Sequence, residues 1–195
     1  MSTSDALRRA LTDHDDLRPL PDRARELLEA LDAPPRLAIH LRLVHDVAHR
    51  LVEWTGRNHP AVAVDRDAVL FGAATHDIGK TIHVEELSGP GSAHEPAGHE
   101  LLVQSGVEER LARFARTHGS WTEPGIGVDD LLVSLADKVW KAKRVPDLEQ
   151  LLVDRFTAAS GEPVWLVYMA LDDELDRIAA DADHRLAIQS IHPVR

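Results

Sequence analysis

The chain has 195 residues, among them 12 His and no Cys, and its 22 Lys plus Arg face 33 Asp plus Glu for a formal net charge of −11. That length supports one domain with a substantial core; the absence of cysteine excludes disulfides, zinc ribbons, iron–sulfur clusters and a catalytic thiol, and the acidic balance argues against a nucleic-acid polymer while leaving room for a small phosphorylated substrate, whose charge a metal and a few cations can meet locally. No apolar run approaches the ~20 residues that cross a bilayer, the first residues lack the basic and apolar regions of a signal peptide, and the expectation is a cytoplasmic protein with no membrane partner.

No stretch sustains the alternation of a β-strand, and the chain reads as all-α. Residues 5–12 predict a short helix, and Pro21-Asp22 starts another from Arg23 to Leu31 before Ala33-Pro34-Pro35 breaks it. A long helix follows from Arg36 to Trp54, with Leu37, Leu41, Val44, Ala48, Leu51 and Val52 along one face and Gly56 near its end. After a loop at 57–64, Asp65 is placed to cap a helix from Arg66 to Ile78. An irregular segment at 83–94 contains Gly89-Pro90-Gly91-Ser92. Helices are predicted at 95–105, 108–117, 128–145, 147–159 and 163–181. With no repeat and no separating linker, these form a single-domain bundle of about seven to nine helices. Residues 1–35 are an N-terminal extension, 36–145 the core, and 146–195 C-terminal helices packed on the same domain. Leu151, Leu152, Phe156, Leu166, Met169 and Leu171 serve that packing, with a homodimer contact as the alternative. His14, His59, His184 and His192 read as surface residues, Trp140 and Trp165 as core.

Chemistry concentrates at Thr75-His76-Asp77-Ile78-Gly79-Lys80. An adjacent His-Asp pair offers one imidazole nitrogen and one carboxylate oxygen to the same point, the ligand chemistry of a borderline or hard divalent ion. Asp137, in the apolar run Leu131 to Lys138, must be paired or bound to metal if it faces a core, and Lys141 one turn on is the plain alternative partner.

Together these residues resemble the HD-domain superfamily of metal-dependent phosphohydrolases, of the HDIG type. The resemblance is carried by His40-x-x-x-Val44-x-x-x-Ala48, Ala73 to Lys80, His94-x-x-x-Gly98-x-x-x-Leu102, Thr117-His118 and Ala136-Asp137-Lys138, in the family's order across 36–145. It implies that the first His, the His-Asp pair and Asp137 bind one metal, and that His94 and His118 bind a second, with Asp77 as the bridge. The first His is His40 by register, with His45 as the alternative. Five residues apart, about 140° around a helix, the two cannot share one ion. The same register selects His94 over His99; His118 also reads as a C-terminal His on a helix dipole. One or two divalent ions are expected, with iron, manganese, zinc, magnesium and nickel not told apart.

The implied activity is hydrolysis of a nucleotide or another small phosphate ester or anhydride by metal-activated water, with Asp77 and Lys80 catalytic. Lys80, Lys141 and Arg144 are expected to bind substrate. The latter two lie at +4 and +7 from Asp137 on one helix face, and pairing of Arg144 with Asp147 or Glu149 is the alternative. Glu85, Glu86 and Glu95 are unranked candidates for a general acid or a partner of a ligand, and Trp121 for base stacking or plain burial. The arrangement is similar to bacterial diiron hydrolases of dinucleoside polyphosphates. It lacks the Gly-Tyr-Pro of cyclic-di-GMP phosphodiesterases and the acidic residues that follow the His-Asp pair in alarmone hydrolases. Two other readings remain: a mixed-valent diiron oxygenase of the same superfamily, and a non-catalytic sensor or scaffold.

Overall fold

In the computed structural model, which describes residues 3–194, the chain makes two short helices, α1 (Thr3–Thr12) and α2 (Asp22–Ala30). Pro34 and Pro35 then open α3 (Pro35–Asn58), a proline at the first turn costing no hydrogen bond. Leu37, Ile39, Leu41, Leu43, Val44 and Leu51 of α3 are fully buried, so apolar burial extends well beyond a single face. The reason is its surroundings: α1, α4 (Arg66–Thr75), α8 (Val128–Val139) and α11 (Ala182–Ser190) all pack on it. Arg42 projects from α3 among apolar neighbours and satisfies its fork by donating to the carbonyls of His14 (3.0 Å), Leu17 (2.9 Å) and Arg18 (3.2 Å). This ties the α1–α2 connection to the central helix.

Asp65 caps α4, its carboxylate accepting the Ala68 N–H at 3.0 Å. The helix ends at Thr75 rather than Ile78. Asp77 leaves helical geometry (φ −101°, ψ 10°), and a 3-10 turn over Ile78–Thr81 follows. Gly79 explains the tight path: a Cβ there would overlap the backbone carbonyl of His94 and lie 2.6 Å from the Gly98 nitrogen. Two glycines thus allow this turn to touch α5 (His94–Gln104) backbone to backbone.

A second 3-10 turn spans Val84–Leu87. The helix expected at 108–117 divides into α6 (Glu109–Ala112) and α7 (Phe114–Thr117). Asp130 joins α7 to α8, accepting from Thr117 Oγ1 (2.9 Å) and Arg113 Nε (3.1 Å). α8 stops six residues before the expected 145: Ala142 takes φ 59°, and Val145 is extended as the residue before Pro146. α9 (Pro146–Ser160) ends on Gly161 in the left-handed conformation, φ 71°. α10 (Val164–Ala179) and α11 complete the chain. The divided helix and α11 put the count above the seven to nine expected, and no strand occurs among the described residues.

Several side chains sit opposite to their expected environments, Leu166 and Met169 among them, exposed on α10 rather than packed. Trp165 is 64 % exposed on α10 rather than in the core. His59 is buried, stacked on Phe156 at 4.9 Å between ring centroids. His192 is also buried, its Nε2 3.2 Å from that of His14.

Candidate metal centre

Six side chains from five parts of the chain meet at one point, each delivered by a helix or a helix end. His40 comes from the second turn of α3 and Asp137 from the last turn of α8. His76 and Asp77 follow α4, His94 opens α5, and His118 follows α7. All six are buried.

The geometry divides around Asp77. Its Oδ2 faces the Nε2 atoms of His40 (3.2 Å) and His76 (3.7 Å). Asp137 Oδ1 closes that group, 3.4 Å from His76 Nε2 and 3.7 Å from His40 Nε2. The other oxygen, Oδ1, faces the Nε2 atoms of His94 (3.0 Å) and His118 (3.4 Å). One carboxylate therefore addresses two sets of imidazoles, which adjoin through His76 and His118, their ring centroids 4.9 Å apart.

Hydrogen bonds fix which nitrogen looks inward. His76 Nδ1 lies 2.9 Å from the Ala73 carbonyl, and His118 Nδ1 3.0 Å from that of Ala115. A carbonyl can only accept, so each Nδ1 carries a proton, and whenever the ring is neutral its Nε2 turns a lone pair inward. His94 Nδ1 is 2.5 Å from Glu86 Oε2, which acts likewise. The buried Nε2 atoms of His40, His76 and His94 have no hydrogen-bond partner.

Buried polar atoms without partners are costly, and a ligand at their point of convergence removes that cost. A divalent ion fits: donors about 2.0–2.2 Å from a metal stand about 3 Å apart, close to the separations above. His40, His76 and Asp137 form one group able to hold an ion, and His76, Asp77 and His118 another. Glu95 joins His94 and His118 in a third.

Burial by itself pushes Asp77 up, but His76, His118, His40 and His94 outweigh it and hold the carboxyl well below its usual range. Asp137 behaves alike: burial opposes, and His76 and Lys138 prevail. Both stay anionic, as a cation site requires. Each also meets an ammonium at 2.6 Å: Lys138 on Asp137 Oδ2, the oxygen turned away from the imidazoles, and Lys80 on Asp77 Oδ2, the same oxygen that faces His40 and His76.

A pocket of about 450 Å³ opens onto the cluster. Its wall includes Arg36, Lys80, Lys138 and Lys141, together with Glu86 and Glu95.

His45, the alternative first ligand, stands away from the cluster, and burial pushes its imidazole down to about 4. Arg144 is a correction: it does not line the pocket. Its guanidinium pairs with Glu149 (2.8 Å), Asp172 (2.5 Å) and Asp176 (2.7 Å). Because α8 ends at Val139, +7 from Asp137 is no longer the same helix face. His99 pairs instead with Glu109 at 2.7 Å.

The sequence reading missed Lys138 and Arg36. Lys138 follows Asp137 directly, about 100° around a helix, so periodicity points it elsewhere; its long side chain returns to the carboxylate, beneath the Trp121 ring at 5.6 Å. Nothing local marks Arg36, which reaches the pocket because α11 closes over α3, its Nε donating to the His192 carbonyl at 3.0 Å.

A family model of the HD domain matches residues 37–187, most of the chain and all six buried ligand candidates. The chain belongs to the HD domain family. Comparison with curated proteins and with solved structures gave no match. The family is of the metal-dependent hydrolase type, and the buried His/Asp cluster of this HD domain fits metal binding.

Proposed function

We propose that this HD domain is a phosphohydrolase that binds two divalent ions and cleaves a small phosphate ester or anhydride, with nucleotides the first class to test. The observation that carries the reading is the divided use of Asp77, whose two oxygens face two different imidazole sets. His40, His76, Asp77 and Asp137 would hold one ion, and Asp77, His94 and His118 the other. Divalent ions held there supply Lewis acidity toward a phosphoryl oxygen and bring the ionisation of water toward neutral pH.

The protein's own groups supply the rest. Lys80, Lys138, Lys141 and Arg36 give the pocket a cationic wall inside an acidic molecule. They attract phosphate oxygens and neutralise charge that grows on them in the transition state. Lys80 serves Asp77 and substrate together: it holds Asp77 Oδ2 while lining the pocket. Glu95 takes part in no ion pair among the described residues and stands beside His94 and His118. It can deliver a proton to a leaving oxygen. Burial of the cluster keeps bulk water from screening these interactions.

The test is a panel of nucleotides and simple phosphate esters, run first anaerobically and then in air with an oxygen electrode, on protein loaded separately with Mn, Fe and Zn. Phosphate release without oxygen, lost on chelation and regained on metal addition, is the expected result. Oxygen uptake without phosphate release would turn the assignment to an oxygenase. Metal-replete protein inert toward the panel and toward oxygen would turn it to a sensor or scaffold.

A further inference from the structure

Glu86 lies in the 3-10 turn Val84–Leu87, within the stretch that separates His76 from His94 along the chain. Its carboxylate is committed to one target. One oxygen accepts the backbone N–H of Ala93 at 3.1 Å. The other accepts the backbone N–H of His94 at 3.2 Å and the ring Nδ1–H of His94 at 2.5 Å. The side chain is only 8 % exposed. Gly91 passes so close that a Cβ there would overlap this carboxylate.

These bonds do two jobs. α5 has no side-chain cap of its own, and Glu86 satisfies free N–H groups at its start from outside the helix. The same carboxylate fixes the His94 ring so that Nε2, without a hydrogen-bond partner, stands 3.0 Å from Asp77 Oδ1. The other ring-fixing bonds of the cluster are local: His76 and His118 use carbonyls three residues back in their own helices. His94 instead depends on a carboxylate eight residues away, in another turn.

We propose that Glu86 is a positioning residue that makes the second ion position, at Asp77 Oδ1, His94 and His118, conditional on how the 83–93 segment is folded. The inference rests on the two-ion reading above. A carboxylate behind a ligating imidazole fixes its tautomer, aims it and raises its basicity, and losing such a partner weakens metal affinity by about 10–100-fold. The position formed by His40, His76, Asp77 and Asp137 receives nothing from Glu86 and serves as an internal reference.

The experiment is calorimetric titration of the metal-stripped full chain with Mn²⁺, with electron paramagnetic resonance to detect a coupled ion pair. Wild type should take two ions. Glu86→Leu should keep the first affinity, weaken the second by about 10–100-fold and lose the coupled signal. Glu86→Gln, whose amide oxygen can still accept from Nδ1, should restore most of it. Gly91→Ala, which displaces the carboxylate without removing it, should move the second affinity in the same direction as Glu86→Leu. Two ions at wild-type affinity in Glu86→Leu would overturn the proposal while leaving the two-ion reading intact. A single ion in wild type would overturn both. If Glu86→Leu binds no metal at all, Gly91→Ala decides: selective loss of the second ion supports the proposal, and two undisturbed ions reject it.

Discussion

Asp77 holds the centre together because each of its oxygens faces a different set of imidazoles, so its removal is not a local loss. Asp77→Ala is expected to abolish binding at both positions and to lower turnover by about three orders of magnitude or more. The protein should remain largely helical, since the ligands come from elements with their own apolar packing; circular dichroism and metal analysis on one preparation check this. Full activity with normal metal content would reject the role. At this scale residue type and order made much of the candidate site readable, because a His or Asp on an apolar helix is buried at a cost unless a partner or a cation meets it. Lys138 was not readable, and Glu86 was readable only as one of three acids that nothing ranked. The value of Glu86 depends on where a loop lands, and Lys138 defeats a periodicity argument through the reach of its side chain.

Among the elements, the contact of the Ile78–Thr81 turn with α5 sets how close His94 comes to Asp77. Gly79→Ala would drive a Cβ into the backbone of α5, which cannot yield as a flexible side-chain tip can. It is expected to destabilise by about 1–3 kcal/mol and to weaken metal binding; thermal melts and metal titration together report both. α3 carries a different sensitivity at His45. Burial holds this imidazole at about 4 against the opposing pull of the Asp46 carboxylate, with His49, Arg18 and Arg42 adding to the depression. The unfolded chain therefore takes up the proton first as pH falls below about 6.5. Stability linked to His45 is complete above that pH and is lost progressively toward pH 4, in total by about 3 kcal/mol. His45→Leu should remove this part of the acid limb, leaving a shallower decline between pH 6.5 and 4 in urea melts than wild type shows. Parallel curves would refute it. Elements were legible where caps and prolines announce them, as at Asp65 and Pro34-Pro35. They were misjudged where the cause is non-local: α4 ends early because its continuation must touch α5, and Arg144 leaves the pocket because α8 stops at Val139.

For the whole molecule, the centre gathers two carboxylates and four imidazoles in a buried volume, and an ion that binds only the folded state must stabilise it. At a free ion concentration about 100 times Kd, one site adds about 2.7 kcal/mol, which for a chain of this size raises Tm by about 5–10 °C. Differential scanning fluorimetry with chelator and then with added Mn or Zn checks this, and an unchanged Tm would speak against the site. The sequence by itself determined the all-α class, the long central helix and the residues suited to hold a cation. All of these follow from apolar spacing and side-chain chemistry, which are written locally. Tertiary structure alone decided that Asp77 faces two imidazole sets, that Glu86 stands behind His94, and that Arg36 and Lys138 reach the pocket. Those facts depend on how close helices approach and where each one ends, and such distances are set jointly by residues far apart in the chain.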